Sequence, residues 1–193
     1  DQQPGATLRC KVSVIGDAAV GKSSLLQLFC NKMVKFPKRY VMTNGLDLKV
    51  KMVRIPDSTS TVELYLFDTG GHPAYDSLHK KCWAGSSMVM VVFDMANQSS
   101  FESAKKWLQE YQKAIFPLSV KGVVVGTKAD LKQSNSIMVN PNSVLDFANE
   151  HKLRYFETSA KETQGIDDPF HFIAGSFYSS YVEEVKQITN SDA

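Results

Sequence analysis

The run Gly16-Asp17-Ala18-Ala19-Val20-Gly21-Lys22-Ser23 constrains this chain more than any other feature in it. It fits G-x-x-x-x-G-K-[ST] and stands between an apolar stretch, residues 8–15, and a helix-forming stretch, residues 23–30. In that setting the pattern calls for a tight loop that leaves a strand and enters a helix. Such a loop turns backbone N–H groups inward, and the helix start adds partial positive charge, so the two together cradle phosphate oxygens. Lys22 supplies a point charge to β- and γ-phosphates, and the Ser23 hydroxyl can coordinate Mg²⁺. Asp17, Ala18, Ala19, Val20, Gly21 and Ser24 complete the set of expected ligand contacts in this segment. A mere glycine-containing turn would require neither the lysine nor the hydroxyl.

The remainder of the chain supplies a sheet for that loop. Apolar runs predict strands over 8–15, 46–55, 62–67, 88–93, 123–125 and 154–158. Helical patterns fall over 23–30, 101–113 and 142–150, with Ser99 or Ser100 as N-cap of the second. A closing helix begins near Asp168-Pro169, where proline suits the first turn. Residues 46–55 alternate, with Leu46, Leu48, Val50 and Met52 on one face and Asp47, Lys49 and Lys51 on the other. That marks a half-exposed strand near a sheet edge, paired as a hairpin with 62–67 across the turn Pro56-Asp57-Ser58. The expected fold is therefore α/β: a six-stranded, mainly parallel sheet with one antiparallel edge strand and helices on both faces. Its 193 residues suffice for one domain spanning 1–193, with 1–6 and 189–193 as flexible ends.

Composition removes several classes of function. A net charge of +2 gives no electrostatic reason to invoke nucleic acid. Three cysteines, Cys10, Cys30 and Cys82, form no Cys-x-x-Cys pair and read as buried reduced thiols, and the four histidines lack zinc-ligand spacing. No apolar run approaches the roughly 18 residues of a membrane span. Residues 185–193 contain neither a cysteine nor a basic cluster, so a chain ending there is expected to carry no lipid anchor.

Three further motifs follow in order, each after a predicted strand. In Asp68-Thr69-Gly70-Gly71, the carboxylate can hold a water on a metal ion, and Gly71 lets backbone approach a γ-phosphate without a Cβ in the way. In Thr127-Lys128-Ala129-Asp130, Asp130 can accept two hydrogen bonds from the edge of guanine, a donor pair adenine lacks, while the Lys128 stem covers the ring. Ser159-Ala160-Lys161 can offer a backbone N–H to the guanine carbonyl. Each is common alone. In this order, on the C-terminal ends of strands, they point to GTP or GDP bound with Mg²⁺.

With these motifs the chain resembles the Ras-like small GTPases from Leu8 to about Lys186, and the Rab branch most, as in Trp107-Leu108 and Glu157-Thr158-Ser159-Ala160-Lys161. The resemblance implies a P-loop NTPase G domain. It makes Thr43 the switch threonine that closes onto Mg²⁺, Tyr40 the residue folding over the phosphates, and Phe36 the ring packed against guanine. Metal contacts then come from Ser23, Thr43 and, through water, Asp68; Lys22, Thr43, Gly71 and His72 are the catalytic candidates. Within that branch, Ala6 to Val12, Met42-Thr43-Asn44-Gly45 and Ile55-Pro56-Asp57-Ser58-Thr59 are similar to the Rab-like subunits of the intraflagellar transport machinery. That likeness implies a heterodimer with a β-sandwich subunit of the intraflagellar transport protein 25 kind, larger complex B subunits as further partners, and a place in the cytoplasm and cilium or flagellum. A vesicle-trafficking Rab and a subunit using nucleotide only structurally are the alternatives.

Several positions depart from the family pattern. Where most relatives carry a water-orienting glutamine, this chain has His72 followed by Pro73. A neutral imidazole can accept a hydrogen bond from water; a surface histidine without chemical role is the other reading, favoured because Pro73 restricts the backbone before it. Ala18 puts a Cβ near the γ-phosphate. Both point to slow intrinsic hydrolysis, short of an aided enzyme by ~2–4 kcal/mol of transition-state stabilisation. Arg39 lies one residue out of register for a cis arginine finger and reads as a solvated charge. In the closing helix, Phe170, Ile173, Phe177, Tyr181 and Val185 are expected on the sheet, whereas Phe172, Tyr178 and Val182 lie off that stripe. Tyr178, Tyr181 and their neighbours are therefore expected to meet a partner subunit.

Overall fold

The structure, a computed structural model, describes residues 5–31, 42–72, 75–134, 136 and 138–191. The strands are β1 (Thr7–Ile15), β2 (Leu46–Arg54), β3 (Thr61–Thr69), β4 (Met88–Asp94), β5 (Gly122–Thr127) and β6 (Arg154–Glu157). They form one sheet in the order β2-β3-β1-β4-β5-β6. Only β2 runs antiparallel, paired along its length with β3. The helices are α1 (Lys22–Cys30), α2 (Asp76–Trp83), α3 (Gln98–Ile115), α4 (Pro141–Glu150) and α5 (Asp168–Ser191). A 3-10 segment, Ala129–Ser134, follows β5.

Parallel strands need long crossovers, and here helices serve, so both faces of the central strands are covered. All seven residues of β4, Met88–Asp94, are buried. On one face, Leu25, Leu26 and Phe29 of α1 meet Phe170 and Ile173 of α5. The rings of Phe29 and Phe170 stack 3.8 Å apart. On the other face, Phe101 and Leu108 of α3 and Phe147 of α4 close over Val91, Phe93 and Val124. The C-terminal ends of β1, β3, β5 and β6 open on one rim, and each motif singled out in the sequence lies at or just after one of them.

Some details differ from the sequence reading and others complete it. Helix α2 carries no signal strong enough to stand out, because its surface half is polar, with Lys80 and Lys81 in the last turn. Helix α3 is capped by Asn97, whose side chain accepts from the Ser100 N–H, rather than by Ser99 or Ser100. The Ser100 hydroxyl is spent inside, donating to the Asn97 carbonyl at 2.8 Å and accepting from Asp94 N at 3.0 Å. On β2 it is the apolar row, Leu46, Leu48, Val50 and Met52, that faces outward, whereas Lys51 lies half-buried and donates to the Cys30 carbonyl. Helix α5 overruns the sheet: Phe170 and Ile173 are buried, but Tyr181 and Val185 stand exposed, at 40% and 42%. Tyr178, expected off the core stripe, packs on the core's edge and shares a hydrogen bond with Ser58 at 3.2 Å. Sequence spacing thus places Phe170, Ile173 and Phe177 on the core correctly, but not Tyr181 or Val185, which lie beyond the last core contact of Tyr178. Residues 189–191 continue α5, and Gly5 and Ala6 are described, Ala6 accepting at its carbonyl from Thr61 N at 2.9 Å. Cys10 and Cys82 are buried and Cys30 is half-buried.

Candidate nucleotide site

The loop after β1 is built on backbone that L side chains avoid. Gly16 (φ 143°) and Gly21 (φ 105°) take positive φ, and a Cβ on Gly16 would fall 2.2 Å from the Val92 carbonyl oxygen. Helix α1 then begins at Lys22 with Gly21 as N-cap and no side chain bonding its first N–H groups. Such a start offers those donors, and the positive end of the helix dipole, to an anion.

Lys22 is buried, 6% exposed, and its Nζ donates to the carbonyls of Gly16 and Asp17, each at 2.8 Å. Burial pulls its ammonium down to about 8, against the charges of Asp68 and Asp17, which raise it. Ser23 Oγ and Thr43 Oγ1 stand 2.7 Å apart, and Thr43 Oγ1 reaches Asp68 Oδ2 at 3.5 Å. Asp68 is fully buried, which raises its carboxyl above the ordinary range, opposed by hydrogen bonding from Ser23 and the charge of Lys22. Among the described residues its Oδ1 has no hydrogen-bond partner. An orphaned carboxylate oxygen beside two hydroxyls is a hard, anionic donor set, and that suits Mg²⁺. Gly71 closes this side: a Cβ there would lie 2.4 Å from Ala18 N and from the Gly16 carbonyl oxygen.

The opposite side is built from the ends of β5 and β6. Thr127 Oγ1 hydrogen-bonds the carbonyls of Val20 and of Phe93, so β5 is tied to the phosphate loop. Lys128, at φ 61°, sends its Nζ to Asp94 Oδ2 at 2.6 Å. Asp130 Oδ1 accepts from Ser159 Oγ at 2.6 Å, and Lys161 Nζ lies 3.8 Å from Asp130 Oδ2. Between the two sides is a cavity of about 760 Å³, lined by Ala18, Ala19, Gly21, Lys22, Ser23, Ser24, Thr43, Gly71, Thr127, Lys128, Asp130, Ala160 and Lys161.

The structure thus gathers most of the expected residues. Asp68 and Ser159 stand behind the lining and act on it through Thr43 and Asp130. The Val20 side chain is in the core, and the Asp17 carboxylate is taken by Trp107, so these two can serve the cavity only through backbone. His72 is exposed and makes an edge contact with Tyr75 at 6.5 Å. Phe36, Arg39, Tyr40 and Pro73 lie outside the described residues. Sequence reasoning missed Asp94, the partner of Lys128, whose only sign was an acid ending an apolar strand. It also missed His79, whose Nε2 lies 2.9 Å from the Gly70 carbonyl oxygen.

A mononucleotide-sized cavity at the C-terminal rim of a parallel sheet, floored by a glycine-lysine-serine loop, defines a P-loop G domain. The Ras family model matches residues 11–179, and the chain belongs to the Ras family. It is similar to the intraflagellar transport protein 27 homolog of Mus musculus, 37% identical over 92% of this chain and 95% of that protein. It is also similar to intraflagellar transport protein 27 of Chlamydomonas reinhardtii, 40% identical over 93% of this chain and 89% of that protein. The GTP-binding protein YPT1 of Saccharomyces cerevisiae is 31% identical over 90% and 81% respectively. Family membership carries guanine-nucleotide binding and GTP hydrolysis in general. Among the described residues no helix is long and apolar enough to cross a membrane.

Proposed function

We propose that this chain binds GTP and GDP with Mg²⁺ in the cavity and acts as a Rab-like, GTP-dependent subunit of the intraflagellar transport machinery. The convergence of buried Lys22, the Ser23–Thr43–Asp68 cluster and Asp130 on one cavity carries the chemical half of that reading. Lys22 exchanges its two loop carbonyls for β- and γ-phosphate oxygens. Asp130, oriented by Ser159, accepts from the guanine edge; Lys128 covers the ring, and Ala160 and Lys161 close over the base. Ser23, Thr43 and, through water, Asp68 hold Mg²⁺, which when bound supplies positive charge against the phosphates. Phe36 and Tyr40 keep the roles that the resemblance gives them.

Hydrolysis is slow in this reading. His72 is exposed, and Ala18 brings a methyl group to the phosphate side. Single-turnover assay of His72→Gln tests it: faster hydrolysis supports a rate limited at this site, and an unchanged rate sinks that idea.

The biological half rests on likeness to the intraflagellar transport relatives over nine-tenths of the chain, at higher identity than to YPT1. In this reading the protein works in the cytoplasm and at the cilium or flagellum, paired with a β-sandwich subunit like intraflagellar transport protein 25 and with larger complex B subunits. The exposed residues of α5 beyond the sheet, Tyr181 and Val185, join Tyr178 as the surface for that subunit. A tagged pull-down from ciliated cells, with bait loaded with GDP or a non-hydrolysable GTP analogue, tests the whole. A small β-sandwich protein in both states and larger transport subunits enriched by the analogue are expected. Recovery of vesicle-type Rab effectors would assign the chain to vesicle traffic instead. Loss of the small subunit on Tyr181→Asp with Val185→Asp checks the surface.

A further inference from the structure

His79, on α2, is 1% exposed and takes no part in the nucleotide contacts described above. Its Nε2 lies 2.9 Å from the Gly70 carbonyl oxygen. A carbonyl only accepts, so Nε2 carries the proton and donates. The Gly70 carbonyl and the Gly71 N–H are opposite ends of one trans peptide, and they point in opposite directions. A donor that holds the carbonyl toward α2 therefore turns the Gly71 N–H away from α2. Gly71 itself is packed on the phosphate loop, where a Cβ would lie 2.4 Å from Ala18 N.

The imidazole is itself held. It stacks on Trp83 with ring centroids 5.6 Å apart and planes 14° from parallel, and it meets the Trp107 ring at 4.9 Å and 65°. Trp107 Nε1 donates to Asp17 Oδ1 at 2.8 Å, inside the phosphate loop. From the other side, Gly70 N donates to the Gly45 carbonyl at 2.8 Å, two residues past Thr43. The Thr69–Gly70 peptide thus ties together the segments bearing Asp68 and Thr43, and the next peptide, Gly70–Gly71, is held at its carbonyl by one buried histidine. An imidazole serving only to fill the core would need neither the carbonyl nor a neighbour anchored to Asp17.

We propose that His79 is a positioning residue for the γ-phosphate: it aims the Gly71 N–H at that group and, through Trp107, makes the placement of α2 depend on the phosphate loop. The proposal rests on the nucleotide reading above. Binding one γ-phosphate therefore strengthens a hydrogen bond that GDP cannot use, and the two tryptophans, both in this cluster, report the exchange.

The test uses the full chain with Mg²⁺ and compares wild type, His79→Gln and His79→Leu. Calorimetry gives affinities for GDP and for a non-hydrolysable GTP analogue, and the ¹⁵N-indole spectrum follows the two tryptophan N–H signals. His79→Leu keeps the bulk and removes the donor; it is expected to hold GDP within about two-fold and to lose about ten-fold for the analogue. His79→Gln, whose amide N–H₂ can reach the same carbonyl, is expected to recover most of that loss. In wild type the Trp107 signal moves when the analogue replaces GDP. Equal losses for both nucleotides in His79→Leu, or an unchanged ratio of the two affinities, overturn the proposal. Wild-type indole signals that stay in place on exchange overturn it without any variant. Wild type binding neither nucleotide overturns the nucleotide reading itself, and this one with it.

Discussion

On the phosphate side of the cavity, Lys22 and Ser23 open α1, Thr43 precedes β2 and Asp68 lies at the end of β3. Ser23, Thr43 and Asp68 lean on one another through contacts of 2.7 and 3.5 Å, and Lys22 is held by a loop carbonyl at 2.8 Å. On the base side, Asp130 and Lys128 follow one strand end, and residues behind the lining, Ser159 and Asp94, brace them at 2.6 Å. The phosphate side holds a buried ammonium and a buried carboxylate whose Oδ1 has no hydrogen-bond partner among the described residues, so its hydrogen bonding is incomplete there. The base side is already satisfied internally and works as a fixed template. In the proposed function, a site divided in this way would recognise the base on one side and respond to its phosphates on the other.

The sharpest break of that contrast is Asp130→Asn. It turns an acceptor toward the guanine edge into a donor, and affinity for GDP and GTP should fall about 1,000-fold while xanthine nucleotides gain. Calorimetry against GDP and XDP checks this, with Mg²⁺ dependence unchanged because the phosphate side is untouched.

Lys22→Met should cost about 100-fold in affinity for both nucleotides, yet stabilise the nucleotide-free protein near pH 7 by up to ~3 kcal/mol. The sign follows from a lysine whose pKa falls from 10.5 in the unfolded chain to about 8 in the fold. Below pH 8 both states carry the proton, and the fold bears the cost of a buried charge. Between pH 8 and 10.5 the unfolded chain binds more protons, so stability of the ligand-free wild type rises across that window. Denaturant titrations at several pH values should show this rise in wild type and none in the methionine variant. Nucleotide affinity runs the other way, falling about ten-fold from pH 7 to pH 9 as Lys22 loses its charge.

Thr43→Ala sharpens the comparison within the phosphate side. A loss of about ten-fold for the GTP analogue with Mg²⁺, and little change for GDP, is expected in equilibrium binding. Equal loss for both would mean that the Ser23–Thr43–Asp68 contact is a fixed brace like those on the base side. The smallest effect belongs to Asp94→Asn, which loosens Lys128. A partly exposed ion pair of this kind supports about two- to five-fold in affinity, alike for GDP and GTP.

Much of the site can be read from the sequence because its demands are local. Gly16 and Gly21 must take positive φ, Lys22 and Ser23 must follow, and Asp68 and Asp130 must end or follow strands; each demand leaves its mark within a few residues. The resemblance could be drawn for the same reason. Helix α2 escaped notice because half of it is polar surface, and the wrong N-cap was chosen for α3 because three polar residues in succession, Asn97, Gln98 and Ser99, precede Ser100. Alternation in β2 shows that the strand has two unlike faces, but not which one the helices cover.

By itself, then, the sequence determined the class of fold, the order of its strands and of every α-helix but α2, and most of the side chains that meet at one cavity. Tertiary structure alone decided that Trp107 reaches Asp17 across 90 positions, that Lys128 pairs with Asp94 across 34, and that His79 holds the Gly70 carbonyl. It also decided that α5 packs on the core as far as Tyr178 and leaves Tyr181 and Val185 exposed. The three contacts arise where β3, β1, β4 and β5 lie side by side and bring their following segments together. Which distant side chains meet there depends on strand order and helix packing, and no local pattern of residues records either.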